Sequence, residues 1–523
     1  MSQKNLKLQK FFRMEARGTT LSKEVKTGIS VAFVSMFITL SSVQLILKAT
    51  GASENQLLIP LISIALLFSA VLTIFGGLYT KLPLLFLTTI GFNIFITNQV
   101  ISALSLDWGI GLGIIFIESI VFAILAFTKL PDHFFSQLPE YLKKAAPMTI
   151  GGILVFFSLL AAKIISFKGT ISVSSVTFRS PLLILFAIGF TATYFLVKEK
   201  ASFAILQGFL LTLFLGMIIP NFAEGTAFYL PVILISVAFI VWMLIYSILV
   251  DKHNKKSLEV SFWIIMVGLL VIVILNTPAD PIIAKPLHLF GKLSVFGLPN
   301  FKEATAIIGY PIFNLGNVFK SFPKLIIPIL SLLSVHWITY YSFIEILNGY
   351  MHFKKTDQEK YFDKKAFAAE GAMGLLGSAS GTGFFSSSLG SIISLLLGGK
   401  TALVSVISGL VFILFLFFIP LFTTSFVSIA FAPILFLFGM KLIVDFLPTS
   451  FEEKENWIPI LVTLLIGILT MNIFSAFISG LIAYLFIKAS NSKLNEITAT
   501  TWFLVFILFV WSFIRISIPF ITL

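Results

Sequence analysis

The stretch from Gly374 to Lys400, GLLGSASGTGFFSSSLGSIISLLLGGK, decides the reading of the chain. Elsewhere the sequence is large and apolar. Here Gly377, Ser378, Ser380, Gly381, Thr382, Gly383, Ser386, Ser387, Ser388, Gly390, Ser391 and Ser394 crowd between two apolar runs. At membrane depth every backbone N–H and C=O needs an internal partner, so such an interruption survives only where protein or a water-filled cavity surrounds it. A broken helix whose amide end faces a ligand near the midplane meets that condition. Close helix packing through small residues is the alternative, and Gly377, Gly381 and Ser394 suit it. One packing seam does not require Ser386, Ser387 and Ser388 in a row, which favours the break.

Composition sets the class. Of 523 residues, 58% are hydrophobic and 11% charged, and the mean hydropathy is +1.03. These values exclude an ordinary soluble domain and indicate an all-α polytopic membrane protein. With no cysteine, disulfides, thiolate catalysis and thiolate metal sites are excluded. The formal charge of +13 is read as topology rather than nucleic-acid binding, because Lys and Arg collect in cytoplasmic loops.

Residues 1–26, with Lys4, Lys7, Lys10, Arg13, Arg17, Lys23 and Lys26, read as a cytoplasmic amphipathic amino terminus along the inner leaflet, with no removable signal peptide. Apolar runs follow at 27–48, 57–79, 82–104 and 108–128, each long enough to cross. An interfacial connector at 129–146 precedes runs at 147–166, 181–197 and 201–220, and a pair at 228–250 and 259–276 flanks the basic loop 251–257. Residues 277–322 read as an external segment. Further runs lie at 323–349, 366–381, 384–398, 401–422, 425–446, 457–488 and 500–520. The total is about sixteen helical segments, with both termini inside.

The third run, KLPLLFLTTIGFNIFITNQVI at 81–101, parallels the opening stretch. Each has a non-helical approach, Leu82-Pro83 or Thr382-Gly383, and then small polar residues ahead of an apolar half-helix. Corresponding broken helices in two halves of a chain point to a binding site between them. The expected contact residues are Thr89, Gly91 and Asn93 on one side and Ser387, Ser388, Gly390 and Ser391 on the other.

Several stretches together resemble the AzgA-type purine permeases of the nucleobase–ascorbate transporter family. The amino-terminal FFRMEARGTTLSKEVKTG matches that branch's opening at Phe12, Gly18, Thr19, Thr20, Glu24 and Gly28. The third run matches at Leu82, Pro83, Gly91, Asn93 and Phe95, and FIESIVF at 116–122 matches with Glu118 at the acid. GLLGSASGT keeps Gly377, Gly381 and Thr382, and GGKTAL at 398–403 completes the series. The similarity covers most of the chain apart from 221–322.

The resemblance implies two inverted repeats of seven spans, with a core domain moving against a gate domain. Core spans one to four would occupy 27–128 and gate spans five to seven 129–220. An insertion with two extra transmembrane helices, between spans seven and eight, would occupy 221–322, followed by core spans eight to eleven at 323–422 and gate spans twelve to fourteen at 423–523. The purine would lie between the half-helices and the middle of span eight. No enzymatic step, catalytic residue, cofactor, metal site or nucleic-acid partner is implied. The localisation is the plasma or inner membrane, and a homodimer is compatible with the reading.

Two departures bear on coupling. The family's tenth-span Glu-Ser falls on Gly390-Ser391, and the eighth-span acid falls on His336 or Thr339 within SVHWITYYSFIEILNG. The candidates for a coupling proton or cation are then His336, Glu118 and Glu345, since an ionisable group inside a span is costly and needs a role. Two other readings remain: an anion transporter of the same fold, and a lipid-linked flippase or membrane-embedded biosynthetic enzyme.

Overall fold

The structure is a computed structural model. It describes residues 3–50, 54–128, 130, 133, 136–167, 171–173, 181–199, 201, 203–218, 299, 315–351, 364–419, 425–447, 454–470 and 472–521. The two inserted runs at 228–250 and 259–276, the loop at 251–257 and most of the loop at 350–365 lie outside the described residues.

In chain order the elements are α1 (Gln3–Phe11), α2 (Leu21–Thr50), α3 (Glu54–Thr80), β1 (Leu87–Thr88), α4 (Ile90–Leu104), α5 (Trp108–Leu125) and α6 (Glu140–Ala161). Next come the short strands β2 (Ile165–Phe167) and β3 (Ile171–Val173), then α7 (Pro181–Lys198), α8 (Ala204–Ile218), α9 (Leu315–Lys320), α10 (Phe322–Met351) and α11 (Lys364–Ala379). The chain continues through β4 (Phe385–Ser386), α12 (Ser388–Leu396), α13 (Ala402–Phe415), α14 (Ser425–Asp445), α15 (Lys454–Thr470), α16 (Ile473–Ser490) and α17 (Ala499–Ile521). Among the described residues six helices are long and apolar enough to cross a bilayer, and six shorter apolar helices accompany them. The fold is all-α and polytopic, as composition requires.

The chain forms two compact units. One comprises residues 1–153, 298–417 and 439–523, the other 154–297 and 418–438. In the second, α7 and α8 run antiparallel with small residues at the seam: Gly189 faces Thr212, and Gly208 faces Thr193. Leu185, Ile188, Ala192, Leu211 and Leu215 form its apolar core with Ile429.

In the first unit α5 and α11 pack antiparallel through glycine. A Cβ on Gly371 would lie 2.5 Å from the Ala123 backbone nitrogen, and one on Gly374 would lie 2.8 Å from Ser119 Oγ. Small residues therefore do bring helices together here, in the turns just before the break.

The run 457–488, read as one crossing, is two helices. Its 32 positions would span about 48 Å as one helix at 1.5 Å per residue, against a hydrocarbon core of about 30 Å. The chain instead turns after Thr470, and Asn472 caps α16 by accepting from the N–H groups of Phe474 and Ser475. The return is antiparallel: Gly467 faces Ala476, Gly480 faces Thr463, and Lys488 Nζ reaches Glu455 Oε2 at 2.8 Å.

The additional helix reverses the direction in which the last one runs. Thr498 and Thr500 donate to Gln137 at one end of α17. Further along, Trp511 lies 6.1 Å from Phe95, and α17 also meets Ser102–Leu104 at the far end of α4. The carboxyl end of α17 thus lies at the opposite end of the helices from Gln137. α6 likewise begins earlier than expected, at Glu140, with Pro147 inside it.

The amino-terminal motif is structural. Glu24, fully buried, accepts from Lys400 N at 3.0 Å, Thr401 N at 3.0 Å, Thr401 Oγ1 at 2.6 Å and Thr19 Oγ1 at 2.7 Å. Arg17 Nη1 donates to the carbonyls of Lys81 and Lys400, each at 2.6 Å. Gly18, at φ +60°, makes the turn that lets both side chains reach inward. The resembled G-T-T and G-G-x-T motifs thus meet each other.

Hydrogen bonds to charged groups contribute about 1.5–3 kcal/mol each, and removing one partner strands the others. Glu24→Ala is therefore expected to lower stability by on the order of 3 kcal/mol, with Glu24→Gln milder. Thermal unfolding in detergent checks this, and equal midpoints for Glu24→Ala and the unsubstituted protein would refute it.

Candidate functional site

Two extended stretches meet inside the first unit. β1 pairs antiparallel with β4, Leu87 opposite Ser386 and Thr88 opposite Phe385. Pro83 offers no N–H and disfavours helix for the residue before it. Gly381 and Gly383 have φ of +80° and +91°, values that L side chains rarely adopt.

The backbone freed by the break is then satisfied group by group. Thr89 N donates to Phe384 O at 2.9 Å, Leu85 N to Ser391 Oγ at 2.7 Å, and Phe86 N to Thr73 Oγ1 at 3.0 Å. Phe384 N donates to Asn93 Oδ1 at 2.9 Å, and Trp108 Nε1 to Gly381 O at 3.2 Å. Ser387 N, at the entry to α12, donates to both oxygens of Glu370 at 3.1 Å.

The crossing fixes the places of the expected residues. Asn93 is fully buried, and its Nδ2 donates to Ser42 Oγ at 2.7 Å and Thr88 Oγ1 at 2.9 Å, so the amide ties α2, β1 and the β4 approach together. Ser391 holds the Leu85 backbone. Thr89 precedes α4, and its hydroxyl donates to Phe384 O at 3.3 Å. A Cβ on Gly390 would lie 2.8 Å from Leu87 Cδ1 and 2.9 Å from Ser35 Oγ, so that glycine admits β1 and α2.

Gly91 differs: it is exposed, with nothing within 4 Å of where a Cβ would sit. Ser387 is 1% exposed and its hydroxyl has no partner among the described residues. Ser388 begins α12, and its side chain lies outside the described residues.

Beside the entry to α12 lies a buried ionisable cluster. His336 on α10 places Nδ1 2.8 Å from Glu118 Oε1 on α5 and Nε2 3.3 Å from Glu370 Oε1 on α11. All three side chains are at most 1% exposed. Phe122 stacks on the imidazole at 3.9 Å, and Phe92 and Phe384 meet it edge-on at 5.4 and 4.9 Å.

The other two span-eight candidates take other hydrogen-bond partners. The Thr339 hydroxyl donates back to Val335 O and His336 O at 2.7 and 2.9 Å. Glu345 accepts from Tyr341 Oη at 2.6 Å, nine positions along α10 from His336. Of the three coupling candidates, Glu118 and His336 come together and Glu345 does not.

Sequence reasoning missed Glu370. It stands in AFAAEGAMGLLGS, close to the polar loop at 350–365. The available signal was its charge within an otherwise uncharged helical stretch. Ser42 and Thr88, which share the Asn93 amide, carried no signal beyond being small and polar.

No family model matches the chain. A putative permease of Methanocaldococcus jannaschii is 25% identical over 502 residues, covering 94% of each chain. The adenine permease AdeQ of Escherichia coli is 21% identical over 500 residues, 94% of this chain and 92% of its own. The adenine permease AdeP of the same organism is 24% identical over 214 residues, 41% of this chain and 47% of its own. Among solved structures, the transmembrane domain of the cyanobacterial bicarbonate transporter BicA covers 87% of this chain and 96% of its own at 13% identity and a TM-score of 0.44. The chain is a multi-pass membrane permease, and its work is transport without an enzymatic step.

The crossing tolerates little added volume. A Cβ on Gly377 would collide with the Phe385 ring, and one on Gly383 would lie 2.5 Å from Asn93 Oδ1 in a left-handed backbone. Gly383→Ala and Gly377→Ala are expected to cost on the order of 2 kcal/mol each. Gly91→Ala should cost well under 1 kcal/mol. Equilibrium unfolding of the three variants checks the ranking, and Gly91→Ala emerging as the most damaging would overturn it.

Proposed function

We propose that the chain is a secondary transporter for a purine nucleobase or a closely related uncharged solute, bound where the two half-helices meet. The observation that carries this reading is the β1–β4 pairing, which brings the starts of α4 and α12 together. Purine permeases among the relatives supply the substrate class. Gly91, Ser387 and Ser388 are the contact residues. Asn93, Thr89, Gly390 and Ser391 hold the site's shape, with His336 beside the α12 entry through Glu370.

Electrostatics separates this reading from the anion alternative. A half-helix amino end attracts negative charge, but at α12 that end already has the Glu370 carboxylate on Ser387 N. A second anion would meet a like charge in a low-dielectric setting. An uncharged heterocycle would not.

In this proposal the segments 27–128 and 323–422 form a core that moves against a gate, in the manner of an inverted-repeat transporter. The face bearing Lys81, Gln137, Tyr350 and Lys400 is cytoplasmic, as its basic loops favour. The end of α17 then lies outside, whereas a single crossing at 457–488 would have left both termini inside.

Uptake of labelled adenine, guanine and hypoxanthine, against labelled sulfate and a carboxylate, in a transport-deficient host tests the substrate. Purine uptake without anion uptake is expected, and the reverse would sink the proposal. Asn93→Ala and Ser391→Ala, which remove hydrogen bonds that hold the crossing together, should each weaken purine binding indirectly, read as a raised Kd. Because the chain lacks native cysteine, single cysteines at Lys360 and Lys493 should resist an impermeant reagent applied outside, and one at Ser105 should react. The opposite labelling pattern would invert the topology.

A further inference from the structure

Arg17 and Glu24 form a collar at the ends of the two interrupted stretches, and the segment leading into that collar has a surface of its own. Phe12 and Met14, at 7% and 0% exposed, are buried in a cluster with Ala402 and Leu403. Leu8 and Phe11, three positions apart at the end of α1, stay 41% and 55% exposed. Lys7, Lys10 and Arg13 are exposed beside them, and Glu15 is the one acid before Gly18. An apolar pair flanked by cations, turned outward by a buried anchor, suits an interface better than water.

The interface at hand is the bilayer surface. The exposed face of α3 runs through Phe75 and Tyr79, and Lys81 follows one residue after the helix ends. Apolar, aromatic and then basic residues in that order mark the passage from hydrocarbon to headgroups. Lys81 Nζ sits 4.1 Å over the Phe11 ring, so the end of α1 lies at the level where α3 leaves the apolar layer.

Backbone conformation singles out two of these cations. Arg13 and Lys81 have φ of 54° and 60°, a left-handed geometry that suits glycine or asparagine and strains other residues. A lysine or arginine kept at such a turn is explained by what its charge meets.

We propose that Lys7, Lys10, Arg13 and Lys81, with Leu8 and Phe11 among them, form a docking surface for anionic phospholipid headgroups, and that docking seats the collar on both interrupted stretches. A lipid fits better than a soluble polyanion because the cations surround apolar side chains, which a soluble polyanion would leave in water. Under the orientation proposed above the surface meets the cytoplasmic leaflet, which carries the anionic lipid. It depends on neither the solute nor its coupling. The mechanical link is short: Arg17, one turn beyond Arg13, donates to the carbonyls of Lys81 and Lys400, at the start of one interrupted stretch and after the end of the other.

The chain lacks native cysteine, so an environment-sensitive dye on Gln9→Cys reports α1 without background. The full chain is compared in nanodiscs of phosphatidylcholine and of phosphatidylcholine with phosphatidylglycerol. Both faces of a nanodisc have the same composition, so the reading does not depend on the orientation of the protein. A blue shift of the dye is expected with phosphatidylglycerol alone. High salt should reverse it, since the screening length contracts from about 10 Å at 0.1 M to about 3 Å at 1 M. Replacing Lys7, Lys10 and Arg13 together by Gln should move the docking equilibrium by on the order of a hundredfold toward release and abolish the shift.

Equal emission in the two nanodiscs would overturn the proposal, as would a shift that survives both high salt and the triple substitution. The comparison of lipids and of salt uses the native cations, so it holds whether or not the triple variant folds. An equal blue shift on adding heparin to phosphatidylcholine nanodiscs would assign the surface to a soluble polyanion and overturn the lipid assignment. The link to the collar is read separately: phosphatidylglycerol should raise the thermal unfolding midpoint, and Arg17→Gln should lose that rise while keeping the dye shift. A rise undiminished in Arg17→Gln would refute the link.

Discussion

Backbone interrupted within apolar helical layers must have its polar groups paired by protein, and the interior of the first unit is built around that demand. The β1–β4 pair meets part of it, and Ser391, Thr73, Asn93 and Glu370 meet the rest by accepting from the freed N–H groups. Because each partner comes from a different element, the break also welds them. α2 supplies Ser42 to the Asn93 amide, α5 supplies Trp108 to Gly381 O, and α11 supplies Glu370 to α12.

The same demand explains why the conspicuous residues divide into two kinds. Asn93, Ser391 and Gly390 look like ligand contacts in the sequence, yet their groups are consumed by the crossing or filled by β1 and α2. Gly91, with open space beside it, and Ser387, with an orphan hydroxyl, retain capacity. In the proposed site the solute meets what the scaffold leaves over, so the scaffold's accounting narrows the candidates more than residue type does.

The ionisable cluster is assembled from elements far apart in the chain. The resembled family's carboxylates in the eighth and tenth spans have no counterpart at His336 and Gly390. In the fold, carboxylates from α5 and α11 converge on His336, and one of them reaches the α12 entry at Ser387 N. Linear alignment of one span cannot register a group supplied by its neighbour.

Composition alone determined the membrane class, because 58% hydrophobic residues with 11% charged leave no soluble core to build. Local chemistry determined the two breaks: Pro83, Gly381 and Gly383 restrict or free φ wherever they sit. Run lengths placed most helices, and the 457–488 run carried in its own length the contradiction with a single crossing. Other features had no local signature. That Glu370 meets Ser387 N across seventeen residues, or His336 meets Glu118 across 218, depends on how α5, α10 and α11 pack, a long-range outcome of glycine seams such as Gly371 on Ala123. Tertiary structure alone decided which polar groups are spent on the fold, because hydrogen-bond satisfaction belongs to three-dimensional neighbours and not to a residue's place in the chain.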